Sequence, residues 1–139
     1  MDPNPTSNAG LPEHNETLLT RDTLLMLLAD LSSRILVLFH HPIRLVVHGG
    51  AAMLLHPGLY AQPGSRRRDT RDVDYIQRAF VEEWRQFGML DAGERLQCCI
   101  NATALKFNLG KDWMNAHADI ALPMATEYVL LMGFPTLPY

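Results

Sequence analysis

Of the short runs in this sequence, Arg71-Asp72-Val73-Asp74-Tyr75 has the residue types and spacing best suited to chemistry. On an extended chain alternate side chains share a face, so Asp72 and Asp74 point together while Val73 points to the core. Two adjacent carboxylates repel each other unless something positive lies between them. A divalent cation meets that need, and hard oxygen ligands suit Mg2+ or Mn2+. A solvated strand end that carries two acids is the plain alternative for the pair taken alone.

A second run, Val46-Val47-His48-Gly49-Gly50-Ala51-Ala52, is a hydrophobic strand that opens into a helix through two glycines. Glycine lets backbone approach a ligand closely, and a helix start offers free N–H groups to an anion. A plain tight turn explains the same residues. Between the two runs lies Arg66-Arg67-Arg68-Asp69-Thr70, whose arginines could reach phosphate oxygens or serve only as a charged, solvated loop.

These residues need elements to position them. Thr20 or Asp22 is placed to cap a helix whose leucines and isoleucines run to about Leu38, ending near His40 and His41 before Pro42. Ile43 to His48 is a buried strand, Ala51 to Leu55 a short helix, and His56 to Thr70 a turn-rich loop. Val73 to Ile76 is a second strand. Helices follow over residues 77–87 and 91–107, the latter with Asp91 and Glu94 at capping-box spacing. Ala118 to Leu122 is expected to be a third strand, and Tyr128 to Met132 a fourth strand or a short helix. The order is that of an α/β (α+β) protein with a small mixed sheet flanked by helices. Residues 1–14, rich in proline and poor in apolar anchors, form an expected flexible arm; residues 15–139 form the single expected domain.

With the order in place, His48-Gly49-Gly50-Ala51-Ala52 followed by Arg68-Asp69-Thr70-Arg71-Asp72-Val73-Asp74-Tyr75 resembles a known active-site signature. It is that of the DNA polymerase beta-type nucleotidyltransferase superfamily, and most nearly of its minimal, abortive-infection toxin-like branch. That signature runs hydrophobic strand, Gly-Gly or Gly-Ser, short helix, then Arg-x-Ser/Thr-x-Asp-hydrophobic-Asp, and the resemblance spans about residues 20 to 122. It implies a nucleotidyltransferase-like core that moves a nucleotide from a nucleoside triphosphate to a hydroxyl of a protein, an RNA or a small molecule. It also implies a third carboxylate, for which Asp119 is the fitting residue: one acid in an apolar run ended by Pro123. Asp72, Asp74 and Asp119 would then hold two Mg2+ (or Mn2+) ions. Gly49 and Gly50 would cradle the phosphates, Arg68 would supply charge, and Thr70 would orient the loop or an aspartate.

Two features depart from the signature. The 21 residues between Gly50 and Asp72 make a long connection for the superfamily. The chain also stops soon after the third strand, as a fragment, a minimal version or one half of a homodimer would. A catalytically inactive module that binds nucleotide or a partner is the alternative expectation, and an ordinary α/β interaction domain the plainest one.

Composition sets outer limits. A chain of 139 residues suits one domain with a real core. Its formal charge of −3, from 12 basic and 15 acidic residues, gives no general attraction to nucleic acid or acidic membrane. Cys98 and Cys99 are neighbours, which makes pairing strained and a zinc site poor; two buried thiols on a helix in a reducing compartment are expected. The N-terminus lacks a secretory pattern, and polar residues around Ile35 to Phe39 exclude a bilayer span there. A cytoplasmic location follows as an expectation. Among the other groups, the six histidines, Trp84 and Trp113 are most simply structural.

Overall fold

The structure is a computed structural model that describes residues 10–61, 68–117 and 127–133. Its elements are β1 (Leu19–Thr20), α1 (Arg21–Phe39), β2 (Ile43–His48), α2 (Gly50–Leu55), α3 (Pro57–Tyr60) and β3 (Asp69–Thr70), followed by β4 (Val73–Tyr75), α4 (Gln77–Gln86), α5 (Ala92–Phe107), β5 (Met114–Asn115) and β6 (Glu127–Met132). The fold is mixed α/β, with a four-stranded sheet in the order β5-β4-β2-β6 and a two-stranded ribbon of β1 and β3. None of the described helices is long and apolar enough to cross a membrane.

Side-chain period decides what each element buries. Along β2, Ile43, Leu45 and Val47 are buried while Arg44 is exposed. Its antiparallel partner β6 buries Leu130 and Met132 and exposes Val129 and Leu131. This alternation settles the Tyr128 to Met132 segment as a strand. The buried face packs under α1 and α5, with Leu24, Leu27, Leu28, Leu31 and Ile35 from the first and Leu96, Ile100 and Ala104 from the second. Trp113 is fully buried there, its Nε1 donating to the Ile100 carbonyl at 3.1 Å.

Helix ends follow local chemistry with one exception. Thr20 caps α1, its hydroxyl accepting from the Thr23 amide at 3.2 Å, and His40 closes the helix in a left-handed turn at φ 58°. The expected capping box at α5 does not form. Asp91 instead pairs with Arg95 at 2.9 Å, one turn along the helix, because the guanidinium competes with the backbone for the carboxylate. The expected loop from His56 to Thr70 contains a further helical turn and a short strand. Pro57 suits a first helical position, and the His56 ring accepts from the Gly58 amide at 3.1 Å. β3 exists only by pairing with β1, far away in sequence.

Both cysteines lie on α5; Cys99 is buried as expected but Cys98, on a neighbouring face of the helix, is only half-buried. Burial, then the neighbouring Cys98, pushes the Cys99 thiol up to about 12. A thiol held protonated in this way is a packing group, not a nucleophile.

Asp30 joins the two large helices. It accepts from Arg34 and Thr103, both at 2.8 Å, and from Lys106 at 3.2 Å. Burial works to raise its pKa, but the three donors outweigh burial and hold the carboxyl below its ordinary value. A lowered folded pKa contributes stability above the unfolded value near 3.8, and that stability is lost as pH falls through the folded value. Asp30→Ala should cost about 2 kcal/mol in urea unfolding at neutral pH, since it strands the buried Thr103 hydroxyl. The difference from wild type should shrink in acid; an equal cost at all pH would show that the charge plays no part.

Candidate functional site

The Asp-Val-Asp run sits where its alternation requires. Val73 and Tyr75 are buried in the core, and Asp72 and Asp74 flank them half-buried on the other face. In register, Asp74 lies opposite His48 of β2 and beside Asn115 of β5. β2 runs directly into Gly49, the N-cap of α2, so the acidic strand and the Gly-Gly turn meet. A methyl on Gly49 would touch Asp74 Oδ2 at 3.4 Å. Gly49 also has φ 73° and ψ −147°, a backbone state that a side chain tolerates poorly.

Charge is crowded here. Burial first, and the Asp72 carboxylate second, push the Asp74 carboxyl above its ordinary value, while the imidazoles of His48 and His117 pull it back. His48 is only 6% exposed, and its Nε2 has no hydrogen-bond partner among the described residues. A buried ring nitrogen without a partner is uncommon in folded proteins.

The remaining predicted residues fall as follows. Gly50 opens α2. Thr70 ends β3, and its hydroxyl donates to the Asp72 carbonyl at 3.2 Å, fixing the turn that presents the first aspartate. Arg68 is exposed just before β3. Asp119, Arg66, Arg67 and the strand expected over 118–122 lie outside the described residues.

The strand described beside β4 is β5, parallel to it, and it brings Asn115 rather than an acid next to Asp74. The Asn115 amide lies 3.4 Å from Asp72 Oδ2, donates to the Asp112 carbonyl at 2.8 Å, and its oxygen accepts from the His117 amide at 3.0 Å. Sequence reasoning missed this residue because a two-residue strand carries no alternation to detect. It also missed Asn15, a buried side chain that donates to the carbonyls of Thr17 at 2.9 Å and Arg71 at 2.7 Å. Asn15 thereby clamps the backbone immediately before Asp72. Residues 12–15, the end of the expected arm with the first residue beyond it, dock on the turn at 110–112. The Pro12 carbonyl accepts from the Lys111 amide at 2.8 Å, and Asp112 takes the His14 ring at 3.0 Å and the Asn15 amide at 2.6 Å.

Among the described residues no three His, Cys, Asp or Glu side chains gather to hold a metal. The carboxylate pair supplies two hard ligands, and magnesium is commonly bound through one or two carboxylates with water and substrate phosphate making up the rest. The donor set therefore fits such an ion. No family model matches the chain, and neither a curated protein nor a solved structure is significantly similar to it.

Proposed function

We propose that this chain is a metal-dependent nucleotidyltransferase that moves a nucleotide from a nucleoside triphosphate to a hydroxyl of a protein, an RNA or a small molecule. The observation that carries the proposal is Asp74 lying against the Gly49 turn that opens α2, with Asp72 two residues before it on the same half-buried face of the strand. Asp72 and Asp74 would hold Mg2+ or Mn2+, with Asp119 proposed as the third ligand. When bound, the ion supplies positive charge to the phosphates and to the attacking oxygen. The chain's own residues do the positioning. Gly49 and Gly50 would bring backbone close to phosphate, Thr70 holds the Asp72 turn, and Asn115 steadies Asp72 from the next strand.

Asn115 also favours a second reading. A neutral amide stands beside Asp74 on the adjacent strand, and an inactive module that binds nucleotide without transferring it would tolerate that exchange. The two are separated by incubating the protein with a triphosphate radiolabelled at its α-phosphate, with Mg2+ and candidate acceptors. Transfer of label supports the enzyme, and tight binding without transfer supports the inactive module. Mn2+ should also raise the melting temperature, by about 2.7 kcal/mol of stabilisation at a hundred times its Kd. Absence of any metal response would remove both readings and leave an interaction domain.

A further inference from the structure

Beyond the aspartates, a cleft of about 380 Å3 opens at the carboxyl ends of the parallel strands β4 and β5. There β4 turns into α4 while β5 continues to His117, and α5 forms the far wall. The volume is within the range that encloses a small ligand. Asn115, which contacts Asp72, and His117, whose charge reaches Asp74, both line it, so the cleft adjoins the carboxylate pair.

Its chemistry is that of a neutral, polar, planar guest. The charged groups at its rim are paired with each other: Lys111 with Glu13 at 2.7 Å and His14 with Asp112 at 3.0 Å. Among the described lining residues these two pairs offset each other, and His117 is the remaining basic group. Carboxamides project from three elements, Gln77 of α4, Gln97 of α5 and Asn115 of β5. Gln97 donates to Asn101 at 2.8 Å, and among the described residues its carbonyl and its second N–H take no other partner. A carboxamide with donor and acceptor side by side matches the edge of a nucleobase, as Asn and Gln do when they read adenine. Ala116 gives a small apolar surface beside the carboxamides.

We infer that this cleft binds a nucleobase through Gln97, next to the site proposed for the phosphates. The inference deepens the nucleotidyltransferase reading and rests on it only for what occupies the adjoining site. Its test needs neither metal nor turnover. Adenosine, guanosine, cytidine and uridine are titrated at millimolar concentration into the 15N-labelled full chain without divalent metal, and amide shifts are mapped. Shifts are expected at Gln97, Asn115 and His117, with one base preferred. Gln97→Leu should weaken binding about tenfold, the worth of one hydrogen bond. Gln97→Glu, which keeps the size and loses the donor, should weaken it too, and spectral dispersion reports whether either variant is folded.

Competition then identifies the source of the base. Displacement of the nucleoside by triphosphate with Mg2+ assigns the cleft to the donor nucleotide, and simultaneous binding assigns it to a nucleoside of the acceptor; both outcomes support a nucleobase cleft. No shift from any nucleoside, or shifts confined to Gly49 and Asp74, overturns the inference. Either result leaves the phosphate site standing, because metal response and label transfer test that site independently.

Discussion

Asp74→Asn should abolish label transfer while making the metal-free protein more stable. The two effects have one cause. Burial and the neighbouring Asp72 carboxylate hold the Asp74 carboxyl above its ordinary value, so its ionised form is a cost to the folded chain. Asparagine keeps the shape and removes the charge. In a metal chelator the variant should melt a few degrees higher than wild type. With Mn2+ the order should reverse, because wild type gains stabilisation that the variant cannot. Transfer should fall on the order of 10²–10³-fold, the usual loss when a preorganised electrostatic partner of the reacting group is removed. Asp72→Asn should lose transfer as well, and it should bring Asp74 back toward ordinary behaviour by deleting its like-charged neighbour. A variant that melts lower in chelator would show that Asp74 is held by a partner in the fold. The crowding account of the site would then be wrong.

Gly110→Ala should be the most damaging single methyl among the described glycines. A methyl there collides with the backbone of His14 and Asn15, which crosses directly over the glycine. Nothing in that crossing is free to yield. Asn15 is fixed by its amide on Asp112 at 2.6 Å, by its side chain on Thr17 and Arg71, and by the Gly110 amide itself at 3.2 Å. Relief requires prising the segment off, which forfeits several part-buried hydrogen bonds and one buried one, at about 1 kcal/mol each or more. A loss of roughly 3–5 kcal/mol is expected, enough to unfold a marginally stable domain. Because Asn15 grips Arg71, any surviving fold should also lose the position of Asp72. Gly88→Ala is the control: at φ 90° its methyl meets nothing, so it carries only the left-handed backbone cost of about 1–2 kcal/mol. Chemical denaturation of both variants tests the difference, and equal losses would exclude the packing explanation.

What the sequence determined by itself was local and periodic. The leucine spacing before Phe39, the β-branched run after Pro42 and the alternation in Asp-Val-Asp each commit a segment to one state, because side-chain direction follows from the backbone period alone. The opposition of core-facing Val73 and Tyr75 to Asp72 and Asp74 was legible for that reason, as was the glycine break after His48. Tertiary structure alone decided which segments lie side by side. β1 and β3 are two residues each and hold only through each other, and β5 is a strand only because β4 runs beside it. The capping of α5 turned on a competition between Arg95 and the backbone for one carboxylate. Asn15, Gly110 and Asn115 work across separations of 43 to 97 residues in the chain, through hydrogen bonds and close approaches that depend on three-dimensional proximity. No periodicity encodes such contacts, since each partner's local sequence is compatible with many neighbours and only the packed core selects one.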